Sequence, residues 1–412
     1  MNISIAVVQM SSEFGWGMRT QARVLSCFFY GYVATQVPGS VLAAHFGGER
    51  VLAAVVFSFS TLSILSPVAA AHSVPALLAC RVSLGLAEGM AEPTIYHILS
   101  RSVSPTERGR MVGLLGMWNM LGTVVALCVS PLLQTWFGWH STFYFFGALG
   151  YVWVAAWCSP LLGVAGMPGN DAGTGSGTGS ADDAEATELL PTGHEGTRAY
   201  MHGRSRRWRI ALAMCTHRAS GVVFLSHFCL STAHWIATMW LPTYFAKRWH
   251  MRGVGLSLTM MPHVCMMLAL PTSGSWADAL LQRGHMTPLR LRRTFNSVGF
   301  TLAACFFLLV PLARSPTQAM LALSAALASS MLTVSGYELN KFELAAPQLV
   351  GMLHGISQTV GNSAGVVSVQ AAAAIVEATG SWDLVFVAVA VALLTAAAMF
   401  HAFSSTQRLF DV

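Results

Sequence analysis

The chain has 412 residues, of which 54% are hydrophobic and 10% charged, with a formal net charge of +6. A soluble domain carries about 25% charged residues, so these proportions exclude a soluble globular protein and indicate a polytopic membrane protein in contact with a lipid bilayer. The basic excess does not indicate nucleic acid, because it is scattered through short segments between apolar runs.

In chain order, residues 3–10 (ISIAVVQM) are apolar but shorter than the roughly 20 residues that a span needs. Span 1 is therefore expected either to be incomplete or to begin outside this sequence. No basic segment or small-residue cleavage site marks a secretory signal there. Apolar runs predict spans 2 to 6 at 22–44, 51–72, 76–100, 110–135 and 141–162. Residues 166–188 (GMPGNDAGTGSGTGSADDAEATE) are acidic and rich in Gly, Ser and Thr, the composition of a disordered linker. A basic run follows at Arg204, Arg206, Arg207 and Arg209. Spans 7 to 12 are predicted at 219–246, 254–282, 294–312, 317–338, 346–375 and 382–403. This gives an all-α membrane protein with 11 to 12 transmembrane helices, span 1 being truncated: a six-helix half at 1–162, a cytosolic linker at 163–208 and a second six-helix half at 209–412.

Charge orients the set. The even-to-odd loops and the tail hold Arg50; Arg101, Arg108 and Arg110; Arg198 and the run at 204–209; Arg283, Arg290, Arg292 and Arg293; Lys341; and Arg408. They outnumber Arg19, Arg23, Lys247, Arg248, Arg252 and Arg314 in the opposite loops, so the even-to-odd side faces the cytosol or stroma. Two halves around a linker suit a transporter with its substrate near the midplane. The eight cysteines stand singly in or beside apolar segments, without a C-x-x-C pair, and read as small core residues.

The most informative stretch runs from Cys80 to Arg110. A charge at mid-bilayer costs at least about 2.5–3.5 kcal/mol, so such residues usually face a cavity and act there. On a helix, Arg81, Gly85, Glu88 and Glu92 share one face. One positive and two negative groups on a single face suggest anion binding coupled to movement of a cation or proton. The plainer alternative is an internal salt bridge that only joins helices.

Several segments carry a resemblance: NISIAVVQMSSEFGW (2–16), FFYGYVATQVPGSVLAAHFGGERV (28–51), RVSLGLAEGMAEP (81–93), SPTERGR (104–110), FGWHSTFYFFG (137–147), WLPTYF (240–245), GSWADALLQRG (274–284), LNKFELAAP (339–347), GISQTVGNSAG (355–365) and GSWDLVF (380–386). With these, the chain resembles the major facilitator superfamily. Within it, the likeness is to the anion:cation symporter family of sialin, vesicular glutamate transporters, type I sodium-phosphate cotransporters and plant plastid anion/phosphate transporters. The plastid members are the most similar in feel. The resemblance implies two six-helix halves and a small anionic substrate carried with Na⁺ or H⁺. It further implies no resident cofactor, a monomer, and a plastid membrane or otherwise a plasma or vesicle membrane. It also implies that Arg81 binds the anion and that Glu88 carries the coupling charge. A guanidinium is a permanent fork-shaped donor for phosphate or carboxylate, and a desolvated carboxylate can take up and release a proton.

Departures qualify this. Only Asn2 remains of the family's R-x-N motif, so an anion-binding cation of span 1 is not in the sequence. Leu25 and Leu230 stand where glutamate transporters of the family carry His and Arg, which argues against vesicular glutamate transport. Ala44 replaces the superfamily's acid in the 2/3 loop, whereas Asp278 and Arg283 remain in the 8/9 region as a candidate gate pair. Glu92 is an added carboxylate, a second coupling candidate.

Further candidates for substrate contact are Tyr30, His227, Ser231, Asn340 and Ser357, each weighed against ordinary helix packing. Gln36 and His234 are weighed in the same way, and Thr359 and Asn362 extend a polar stretch suited to substrate contact or to a flexing helix. Arg108 and Arg110, beside Glu107, are read as cytosolic gate residues. Gly31, Gly39, Gly85, Gly89, Gly113, Gly116 and Gly122 are expected to admit close helix packing. No H-E-x-x-H, G-x-S-x-G or Walker pattern occurs, which gives no support to a protease, lipase or ATP-driven pump. The expected function is secondary transport of inorganic phosphate or a similar small anion. The alternatives are an organic anion such as ascorbate, a nucleotide or an acidic sugar, or a non-transporting member of the family.

Overall fold

The computed structural model describes residues 2–103, 108–159 and 209–410, so the expected linker at 163–208 lies outside the described residues. The first half runs α1 (Asn2–Glu13), α2 (Met18–Phe46), α3 (Gly48–His72), α4 (Val74–Glu88), α5 (Ala91–Ser102), α6 (Arg108–Phe137) and α7 (His140–Trp157). The second runs α8 (Arg218–Trp249), a 3-10 turn (Gly253–Met260) leading into α9 (Met261–Gln282), α10 (Pro288–Leu309), α11 (Pro316–Ser330), a 3-10 turn (Met331–Ser335), α12 (Tyr337–Leu344), α13 (Pro347–Thr379) and α14 (Asp383–Phe403). Residues 47, 103, 283–287 and 345–346 mark the basic end of the bundle, and the opposite loops mark the far end.

Eight segments among the described residues are long and apolar enough to cross a membrane by themselves, fewer than the 11 to 12 expected. The helix α2, with Arg19, Arg23 and several polar residues, and α10, with Arg290, Arg292 and Arg293, pack in the same bundle without meeting that measure.

Local chemistry sets the boundaries. The Ser73 hydroxyl accepts from the Ala76 N–H at 3.3 Å, and Pro75 occupies the first turn, where its missing N–H costs nothing; together they start α4. The predicted span 4 is broken into α4 and α5. Pro93 has no N–H to give to the Gly89 carbonyl and crowds it, so the ladder is interrupted at Gly89–Met90, just before Glu92. Span 10 extends further than predicted, through a 3-10 turn and α12 to Leu344.

Lipid tails are as apolar as leucine, so close packing and not the hydrophobic effect holds helices together in a membrane. Here α2 lies directly on α4. A Cβ on Gly85 would run into the Phe28 carbonyl, one on Gly89 into the Tyr32 carbonyl, and one on Gly31 into the Val82 carbonyl. The same test corrects part of the glycine expectation. Gly116 and Gly122 face open space and serve no close approach, and the Gly113 side-chain position is not among those described.

The hydrogen bonds seen to join the two halves gather toward the far end. Arg19 meets Glu377 through its Nε at 2.5 Å and its backbone N–H at 3.1 Å. Lys247 Nζ lies 3.1 Å from Met18 Sδ, and Ser257 Oγ donates to the Cys128 carbonyl at 3.0 Å. Gln370 donates to both Ser26 Oγ and Tyr30 Oη at 3.1 Å. None of these reaches α5 or α12. Within the first half, Trp139 Nε1 donates to Glu13 at 2.7 Å, fixing the end of α1 against α7. At the basic end of the second half, Leu344 and Ala346 share backbone hydrogen bonds with Leu409 and Phe410 at 2.8–3.1 Å.

Candidate functional site

Arg81 is 7% exposed and lies between α4 and α2. Its Nε donates to the Val24 carbonyl at 3.4 Å, and its guanidinium carbon stands 5.3 Å from the Phe28 ring centroid. The ion pairs of the described residues are Arg19–Glu377, Arg292–Glu343, Lys341–Glu338 and His354–Glu338, and Arg81 belongs to none of them. The internal salt bridge weighed from the sequence is therefore not formed. What remains is a buried cation oriented by a backbone carbonyl and an aromatic face.

Glu88 is exposed and Glu92 half-buried, the latter accepting from Tyr32 Oη at 3.4 Å. Depth separates the charged face. At 1.5 Å per residue, Glu88 lies about 10 Å and Glu92 about 16 Å from Arg81 toward the basic end. A single small anion touching Arg81 does not reach Glu92.

In the second half, His227 on α8 and Ser357 on α13 meet, Nδ1 to Oγ, at 2.8 Å. Ser357 is fully buried. The absence of a side chain at Gly361 lets the His227 ring sit against α13, and the Tyr337 ring lies tilted to it at 39° with centroids 5.5 Å apart. Ser231, also on α8, is half-buried. Tyr30 is 53% exposed and accepts from Gln370 of the other half. Asn340 is not between span 10 and span 11 as expected; it is fully buried inside α12. Its amide donates to Glu343 at 2.9 Å and to the Ser405 carbonyl at 2.8 Å, while Glu343 pairs with Arg292 at 2.9 Å. That network ties α12 to α10 and to the segment after α14, and it occupies the Asn340 amide nitrogen structurally. Of the gate residues, Asp278 and Arg283 are exposed on and just after α9 and form no ion pair with each other. The side chains of Arg108 and Arg110 are outside the described ones.

Several polar groups escaped the sequence reading. Lys341, counted there as a loop charge, is fully buried in α12 and paired with Glu338 at 2.7 Å. The basic-end excess survives without it. Glu338 also meets His354 Nδ1 at 3.1 Å. Gln370 is the amide that joins the halves, and His263 Nε2 meets Thr238 Oγ1 at 3.0 Å. The available signal was the one-turn spacing of Glu338 and Lys341 beside an apolar run, hidden by ending span 10 too early. Gln370 stood in view as the amide opening the alanine run of QAAAA.

A model described as Major Facilitator Superfamily matches residues 1–369. This chain belongs to the Major Facilitator Superfamily. It is an integral, multi-pass membrane protein, as its helices and that superfamily require. Among its relatives, "Probable anion transporter 4, chloroplastic" of Oryza sativa subsp. japonica is 33% identical over all of this chain and 66% of the relative's length. "Sodium-dependent phosphate transport protein 1, chloroplastic" of Arabidopsis thaliana is 32% identical over all of this chain and 77% of its own length. "Ascorbate transporter, chloroplastic" of the same plant is 31% identical over all of this chain and 72% of its own length. The superfamily fold is shared with a D-xylose-proton symporter structure at TM-score 0.72 and 12% identity, over 98% of this chain and 94% of that one.

Proposed function

We propose that this chain is a secondary transporter of inorganic phosphate or a similar small anion, coupled to Na⁺ or H⁺ and working by alternating access in a plastid membrane. The observation that carries the reading is Arg81, a buried guanidinium with no carboxylate paired to it. A cation left so in a low-dielectric interior is costly, and an anionic substrate that pairs with it relieves that cost. Glu88, exposed on the same helix about 10 Å nearer the basic end, carries the coupling charge, with Glu92 below it. The second half contributes the polar surface around His227 and Ser231. The names of the relatives support an anion as cargo and a chloroplast membrane as the place. The protein acts as a monomer, with no resident cofactor and no chemical step.

Uptake of labelled phosphate into proteoliposomes, with imposed Na⁺ and pH gradients, tests the reading. Accumulation that follows one of those gradients is expected. No gradient-dependent uptake, with insertion of the protein verified, overturns it. A second reading, an organic anion, is favoured by the relative named as an ascorbate transporter. Competition of labelled phosphate by unlabelled ascorbate, nucleotide and acidic sugar separates the two.

A further inference from the structure

The polar cluster of α12 and α13 has no part in the anion site, yet it holds a fully enclosed ammonium. Glu338 is shared between two partners: one oxygen accepts from Lys341 Nζ at 2.7 Å, and the other meets His354 Nδ1 at 3.1 Å. Lys341 Nζ is also 3.5 Å from that nitrogen and 5.5 Å from the Tyr337 ring. The three side chains differ in access: Lys341 is 1% exposed, Glu338 24% and His354 37%. A carboxylate oxygen in an ion pair only accepts, so His354 Nδ1 carries its proton toward Glu338. Among the described residues, Nε2 has no hydrogen-bond partner, and it is the acceptor on the most accessible member of the cluster.

Charges face His354 from three directions. On α12 are Glu338 and Lys341, and on α8 is His227, which interacts electrostatically with the same cluster. On α5, in the other half, Glu92 is within electrostatic reach of both His354 and Glu338, and Tyr96 within reach of Glu338. With His354 neutral, Glu92 of the first half faces a Glu338 already paired with Lys341, and no net charge draws the halves together at the basic end. With His354 charged, an imidazolium stands between those carboxylates.

We propose that His354 is a proton-binding site of the transport cycle, filled at Nε2 from the basic end, and that its charge draws Glu92 of the first half onto it and closes that end. Lys341 neutralises Glu338 permanently, so the proton on His354 is the variable charge. The proposal rests on the transporter reading for its purpose, but its central claim concerns the separation of α5 and α12 and is measurable without cargo.

The experiment uses the full chain, freed of cysteine except at Arg101→Cys and Phe342→Cys, spin-labelled and placed in lipid nanodiscs without substrate. Both label positions are exposed. Histidine changes charge between about pH 5 and 8, so distances are taken at about pH 8 and about pH 5.5. The expected result is a short-distance population that rises at least about threefold at the lower pH. That rise disappears in His354→Asn, whose amide still donates to Glu338 but cannot titrate. It disappears equally in Glu92→Gln, which leaves the α12–α13 cluster untouched and so covers the case in which His354→Asn fails to fold. His401→Gln, at an exposed histidine on α14, keeps the response. A pH response that persists in Glu92→Gln or in a folded His354→Asn, or none in the parent protein, overturns the proposal. A normal distance response without anion uptake sustains this site and removes the transport reading. Gradient-driven uptake with a distance response indifferent to His354 does the reverse.

Discussion

A guanidinium at 7% exposure with no ion-pair partner among the described residues is unfavourable in a membrane interior, and the anion proposed to pair with Arg81 would relieve that cost. Its fork geometry is the operative property. Arg81→Lys keeps the charge but loses the planar pair of donors, and phosphate uptake is expected to fall at least about tenfold. Size-exclusion profiles matching the parent show that the variant is folded; parent-like uptake from it refutes the assignment. Glycines give a second, purely structural contrast. Gly85→Leu forces a side chain against the Phe28 backbone and should cost about 1–3 kcal/mol, read as a lower thermal midpoint in detergent. Gly116→Ala meets nothing in space and should leave the midpoint unchanged or raise it. Both glycines looked alike in the sequence, since helical spacing gives no information on which neighbour lies across from it.

At the scale of elements, periodicity and hydropathy located most helices, but they passed over places where helices break, among them the 3-10 turn at Gly253–Met260. The α4–α5 interruption follows from Gly89 and Pro93, both visible in AEGMAEP, yet the apolar run carried the prediction through them. The 3-10 turn at Met331–Ser335 has no proline to announce it, and the predicted span 10 ran through it to stop at residue 338, which left Lys341 in an assumed loop. The far-end contact between α2 and α13 was invisible for another reason: Arg19 and Glu377 are separated by most of the chain. Arg19 is 80% exposed, so this pair adds little to stability, on the order of 1 kcal/mol or less. That amount still changes a two-state population up to about fivefold. Arg19→Glu should raise the proportion of molecules with the far end parted, measured by spin-label distances across α2 and α13, and the double reversal Arg19→Glu with Glu377→Arg should restore it.

For the whole molecule, the candidate site was legible where it depended on one helix and illegible where it depended on two. Arg81, Glu88 and Glu92 were singled out because they share a face, and the break between α4 and α5 that falls among them came only from the fold. The junction of the halves at Tyr30 and Gln370 needed tertiary structure. Joints gathered at the far end imply that this end must part for the cycle to proceed. A cysteine-free chain carrying Met18→Cys and Lys247→Cys, bridged by a short bifunctional thiol reagent, should therefore lose uptake, and a cleavable bridge should return it on reduction. Undiminished uptake from a fully bridged sample refutes far-end opening.

The backbone pairing of Leu344 and Ala346 with Leu409 and Phe410 has a practical corollary. Phe410 is 6% exposed and packs with Met214, Leu344 and Phe400, so the chain's last described residues are a clamp and not a trailing end. A fluorescent fusion or purification handle attached directly after them would pull on α12, the helix that holds Glu338 and Lys341. A flexible spacer between Phe410 and any such handle would leave that pairing intact.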